Sequence, residues 1–208
     1  MPFPFRTDRA REPRALPIFP LRTVLFPGGI LPVKIFEPRY VDMATACIKD
    51  ASAFGVCLLT QGEEVAPPGS PQSFAAIGTE ARIVRFDMPS QGILHVVCEG
   101  GERFKVQRHD VQRDNLAVGE VTALPAEAPV ALADEYAPLV KLLEAIATRI
   151  GPDNFPAERR YDDGSWVSYR LVELLPLPLA IKQSMLEVND AAVRLTVLRN
   201  FLVQQALI

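Results

Sequence analysis

The side chains able to do chemistry are few. His95 and His109 are the two histidines, and Cys47, Cys57 and Cys98 the three cysteines. No acid, cysteine and histidine spacing typical of a zinc site occurs, and no Cys-x-x-Cys pair. A Cys–His nucleophile would pair Cys98 with a histidine. His95 and Cys98 stand three apart on a segment that reads as a strand, where odd separations face opposite sides. Glu99 and Glu102 flank Gly100-Gly101. Such a pair can serve as acid and base, but carboxylates on a turn are solvated. Ser184 lies two residues from Lys182 on a helical segment, and positions i and i+2 point apart. No G-x-x-x-x-G-K-[ST] stretch is present, nor any Gly-Lys pair, so no P-loop can hold a triphosphate. The expectation is no catalytic residue, no metal and no cofactor. The odd number of thiols, each among apolar neighbours, predicts free buried cysteines.

Binding chemistry is better represented. Phe36, Glu37, Arg39 and Tyr40 crowd one corner where a strand runs into a helix. They can be a polar anchor in a peptide groove, or a salt bridge and cap that fix the corner, shared with Arg103. These five residues are the candidate binding set. Arg82, Arg85, Arg103 and Arg108 can line one sheet face, which opens an RNA-binding alternative. Acids are interleaved with them, and the net charge of −3 gives no general attraction to phosphate. An uncharacterised hydrolase is the third class. Phe19, Leu25, Phe26 and Ile35 exceed what one barrel core needs. They are either buried against a second layer or exposed as a patch for unfolded protein.

The organising stretch is Leu16–Tyr40. Leu16–Leu21 predicts a first strand, with Pro17 and Pro20 placing it at an edge or bulge. Val24–Phe26 begins a second apolar run, Pro27-Gly28-Gly29 a tight turn, and Ile30–Phe36 a strand. Pro38 suits the first helical position, with Glu37 at the positive end of the dipole. Tyr40, Met43, Ala44, Cys47 and Ile48 then share one helical face, to about Asp50. Phe54–Thr60 reads as a doubly buried strand, Gln61–Ser73 as a mobile Pro/Gly loop, and Ala76–Met88 as a strand. Pro89–Gly92 closes a hairpin onto Ile93–Glu99. Gly100-Gly101 reads as another tight turn before Glu102–His109, and Leu116–Leu124 completes the sheet. Helices follow a linker: Ala133–Ile150; a segment from an Ser165 N-cap through Leu175; a short one after Pro178; and a last one capped by Asn189. The last presents Ala192, Val193, Thr196, Leu198, Asn200 and Val203. Early strands and late helices make this an α+β chain with a closed or nearly closed barrel. The expected organisation is a flexible tail at 1–15, a barrel at 16–124, a linker at 125–132 and a helical bundle at 133–208. The Arg- and Pro-containing N-terminus lacks the apolar core of a leader. No run of about 18 apolar residues exists, so a soluble, cytoplasmic protein without membrane contact is expected.

Three segments carry a family resemblance: LPIFPLRTVLFPGGILPVKIFEPRY at 16–40; IGTEARIVRFD at 77–87 followed by HVVCEGGERFKV at 95–106; and WVSYRLVELLPLPLAIKQSMLEVNDAAVRLTVLRNF at 166–201. They resemble, in order and spacing, the Lon protease N-terminal domain family, with Lys182-Gln183 and Arg194 at recurrent positions. The resemblance spans about residues 16 to 205. It implies a PUA-like pseudo-barrel of about six strands with one inserted helix, then a helical bundle. It further implies a non-catalytic module that binds unfolded or partner polypeptide, accessory to protein quality control; the expected site is an apolar groove between barrel and bundle with Gln61–Ser73 at its rim. Neither the family's ATPase nor its Ser-Lys protease segment is matched, so a free-standing domain is expected. Its client and oligomeric state are not legible.

Overall fold

The computed structural model describes residues 12–65 and 72–208. Seven strands come first: β1 Arg14–Leu21, β2 Ile30–Ile35, β3 Phe54–Gln61, β4 Ser73–Phe74, β5 Ile77–Ser90, β6 Ile93–Val111 and β7 Ala117–Ala123. Helix α1, Pro38–Asp50, is inserted between β2 and β3. The rest is helical: α2 Ala137–Ile150, α3 Gly164–Leu174, α4 Leu179–Glu187 and α5 Ala191–Gln204. The α+β reading therefore stands. Residues 1–11 of the expected tail, and 66–71 of the expected mobile loop, lie outside the described residues. Arg14 and Ala15 already belong to β1, where they pair with Val121 and Glu120.

Strand order is β1-β7-β6-β5-β3-β4, and a parallel ladder of Ile18–Leu21 on Gly55–Leu58 brings β3 back to β1. The circuit is not a cleanly closed barrel. β2 stands outside it, paired among the described residues with β6 alone, and β4 is a two-residue edge. β3 is buried from Phe54 through Leu59, as its unbroken apolar run predicts. Pro38 starts α1, which buries Tyr40, Met43, Ala44 and Cys47 on the sheet.

Three apolar clusters result. One joins α1 to the sheet, with Phe19, Leu25, Ile35 and Tyr40; one lies between β1, β6 and β7; the third belongs to the helices. Phe26 enters the helical cluster with Trp166, Val167 and Leu171 and stacks on Tyr169 at 5.6 Å. The surplus apolar residues of the first stretch are thus buried, Phe26 against the bundle and the other three beneath α1. Val24–Phe26 forms no strand; it is irregular backbone whose side chains are all buried.

Three further expectations are corrected. Gly100-Gly101 is no turn but the middle of the 19-residue strand β6. There Gly28 N–H donates to Gly100 O (2.7 Å) and Gly100 N–H to Gly29 O (2.8 Å). A Cβ on Gly100 would press on the Phe26 carbonyl, so the glycine is required by close backbone approach. The helix caps are Asp163, which accepts from Ser165 N–H, and Asp190, which accepts from Ala192 and Val193 N–H. Ser165 and Asn189 are engaged elsewhere, with Glu127 and Arg103. Last, α5 buries Ala191, Arg194, Leu195, Leu198 and Leu202, whereas Val193 and Val203 are exposed. The buried face contains an arginine, which hydropathy assigns to solvent.

Candidate functional site

At the β2–α1 corner, Glu37 takes the N-cap position of α1 with extended backbone, but its carboxylate does not cap. It accepts instead from Arg39 Nη2 (2.9 Å) and Nε (3.1 Å). Arg39 Nη1 donates to Asn115 O at 2.7 Å, tying the corner to the β6–β7 turn. The guanidinium lies 4.5 Å from the centroid of Tyr40, whose ring stacks 4.2 Å from Phe19. Burial pushes the Tyr40 hydroxyl up to about 12, against a smaller pull from Arg39, so the phenol stays neutral. Phe36 alone of this group is open, 48% exposed.

Arg103 is not part of the corner. It is buried at the seam between sheet and helices, where Nη1 donates to Leu186 O (2.8 Å) and Nη2 to Asn189 Oδ1. Beside it, Arg194 donates to Glu127 Oε1 (2.5 Å), to Val188 O (2.8 Å) and to Ser168 Oγ (3.0 Å). Burial raises the Glu127 carboxyl, but hydrogen bonds from Arg194 and Ser165 outweigh it and the net shift is downward. On α3, Arg170 donates to Gly28 O (2.5 Å) and Pro27 O (2.9 Å), clamping the turn before β2 onto the bundle.

These two places are the ends of one belt of surface depressions. The first, about 360 Å³, follows the open edge of β2 between Leu21, Leu31, Phe36, Tyr40 and Val65. It shares Pro32, Val33 and Lys34 with a second, of about 570 Å³, that crosses to Phe86, His95 and Val97. Arg85 and Val97 continue into a third, about 370 Å³, against Pro152, Phe155 and Trp166. Gly28, Arg160 and Trp166 lead on to the fourth, about 190 Å³, which holds Arg103 and Glu127. Trp166 is set edge-on to Phe155 and Tyr161, centroids 5.8 and 5.3 Å away.

Of the five predicted residues, Phe36, Glu37 and Tyr40 line one end of the belt and Arg103 the other; Arg39 braces Glu37. The middle of the belt is absent from the predicted set. Its signal is the alternation of Val84, Phe86 and Met88 along β5, all exposed, with Phe86 at 60%. Among the described residues that line it, no nucleophile, base and orienting partner are grouped. His95 is exposed while Cys98 is fully buried, so the two do not meet. Burial pushes the thiols of Cys57 and Cys98 up to about 12 and raises that of Cys47. Among the described residues no three His, Cys, Asp or Glu side chains are grouped to hold a metal, and no helix is long and apolar enough to cross a membrane.

A seven-stranded mixed sheet with an inserted helix, followed by a helical bundle, has known counterparts. The family model described as the ATP-dependent protease La (LON) substrate-binding domain matches residues 15–204, and the chain belongs to this family. The Lon N-terminal domain protein from Xanthomonas campestris is similar at 36% identity with a TM-score of 0.70, covering 89% of this chain and 96% of that one. The N-terminal domain of Mycobacterium avium complex Lon protease shares the fold, with a TM-score of 0.60 at 20% identity over 90% and 97% of the two chains. Lon protease of Cytophaga hutchinsonii is 27% identical over 197 residues, 91% of this chain. The chain spans 24% of that protein's length.

Proposed function

We propose that the chain is a non-catalytic module that holds unfolded or partner polypeptide, serving as a cytoplasmic accessory to protein quality control. The supporting observation is the belt: four depressions that share lining residues and are lined mainly by apolar surface. Family membership supports a substrate-binding role. On this reading the barrel (16–124) and bundle (133–208) act together across the linker at 125–132, because the belt uses both. Phe36 and Phe86 are its exposed apolar anchors; Glu37, Arg39, Tyr40 and Arg103 hold its two ends in shape. Affinity is modest, because an unfolded client loses chain entropy on binding. The RNA reading draws no support, since Arg103 is buried and Arg108 is paired with Glu120 at 2.7 Å.

The test is fluorescence anisotropy with a labelled, permanently unfolded polypeptide such as reduced and carboxymethylated lactalbumin. Wild type should bind at micromolar concentration, and the double variant Phe36→Ser/Phe86→Ser at least fivefold more weakly with an unchanged thermal transition. No binding by wild type, or equal binding by the variant, would overturn the proposal.

A further inference from the structure

Taking that proposal as its basis, we infer that the belt recognises polypeptide through apolar side chains alone and does not add the bound segment to the sheet as an eighth strand. The edge of β2 that borders the belt is where a bound segment would be added as a strand, since among the described residues β2 pairs with β6 alone. It faces the first depression and forms the ridge between the first and second.

In an antiparallel pair, alternate residues turn their N–H and C=O toward the partner strand, and the others turn theirs outward. A proline is accommodated where its nitrogen faces away from the ladder. Pro32 stands opposite Val97 in an unbroken register from Ile30 through Ile35. The outward set is therefore Ile30, Pro32 and Lys34, and its central member has no N–H to give. The pyrrolidine ring also occupies the edge at the position where an incoming backbone would have to approach within about 4.8 Å. Lys34 follows on the same edge, exposed, with a charge that an added apolar strand would have to desolvate. On either side of this ridge the walls are side chains: Phe36, Leu31 and Val65 on one, Phe86 and Val97 on the other.

The ligand class follows. Segments rich in aromatic and aliphatic side chains bind whatever their backbone hydrogen-bonding capacity, including proline-rich ones, and extended β-forming segments gain no advantage. The edge stays closed to a second copy of β2 for the same reason.

The experiment uses a fluorescein-labelled, apolar-rich twelve-residue peptide and two counterparts N-methylated on alternate residues, one in each parity. Breaking even one ladder bond would weaken binding by about three- to tenfold. All three peptides should bind the full chain within threefold of one another. Pro32→Val restores the missing donor, and in that variant one N-methyl parity should bind at least fivefold more weakly than the unmethylated peptide. A loss above threefold with wild type in either parity would overturn the inference. An insensitive Pro32→Val variant would overturn the assignment of the block to Pro32. Absence of binding by the unmethylated peptide is a separate result, which sinks the polypeptide-binding proposal itself.

Discussion

Replacing Gly100 by alanine tests the packing of the turn before β2 on the middle of β6. An added Cβ would sit 3.1 Å from the Phe26 carbonyl carbon and 3.3 Å from Leu25 Cδ1, and closer still to the Phe26 oxygen. The obstacle is backbone, which cannot rotate aside. Two hydrogen bonds, Gly28 N–H to Gly100 O and Gly100 N–H to Gly29 O, hold the strands at this separation. Forcing a methyl group between them costs about 1–3 kcal/mol in overpacking. Each backbone group left unmade adds about 1–3 kcal/mol. A loss of about 4 kcal/mol is therefore expected, which for a chain of this size lowers Tm by roughly 8–16 °C. Urea unfolding and a thermal scan by circular dichroism measure it. Two neighbours serve as controls. Gly101→Ala meets Glu80, with Cβ nearest at 3.3 Å and the backbone oxygen at an ordinary 3.6 Å, and should cost less than about 1 kcal/mol. Gly92→Ala meets nothing within 4 Å but carries φ +79°, so about 1–2 kcal/mol of left-handed strain is expected. If Gly100→Ala unfolds within about 1 kcal/mol of wild type, or no earlier than Gly101→Ala, the close-approach reasoning fails.

Two other perturbations follow from the buried polar groups. Arg194→Met strands the Glu127 carboxylate beside Ser165 and should cost about 3–5 kcal/mol in urea unfolding, with Glu127→Gln/Arg194→Met recovering a large part of it. The folded-state pKa of Glu127 is depressed, so its contribution is complete above the ordinary carboxylate range and is lost as pH falls through that range to the folded value. A stability–pH profile should therefore show an acid-side decline that flattens in Glu127→Gln; identical profiles for the two proteins would refute the linkage. Cys57 and Cys98 should remain unmodified by Ellman's reagent at pH 8 in the native protein and react on unfolding, because burial holds both near 12. Stoichiometric native reaction at either would contradict the burial.

How much of this was legible depended on how local each determinant is. α1 was readable because its Pro38 start and its Tyr40–Met43–Ala44–Cys47 face lie within a dozen residues. β3 was readable because burial on both faces leaves no polar position to interrupt it. The face of α5 was not, because Arg194 is stabilised inside by Glu127, 67 residues away. The N-caps were displaced by one or two residues for a similar reason. Asp163 also accepts from Val130 N–H, and Asn189 is taken by Arg103. At the site, Phe36, Glu37 and Tyr40 announced themselves as an unusual cluster at one corner. The middle of the belt is assembled from residues near 30, 85, 97 and 155, so no single segment displays it.

The clamp of Arg170 on the Pro27 and Gly28 carbonyls sets a timetable for synthesis. Its two partners are separated by 142 and 143 residues. When the ribosome has delivered every strand through Ala123, the turn that leads into β2 still lacks the cation that fixes it, and Phe26 lacks the tyrosine on which it stacks. At about 5–20 residues per second, the wait from Ala123 to Arg170 lasts several seconds, before the further delay of clearing the exit tunnel. During that interval Phe26 is an apolar side chain without its cover. The chain thus passes through a stage in which it exposes an apolar segment of its own, and it ends that stage only when α3 docks.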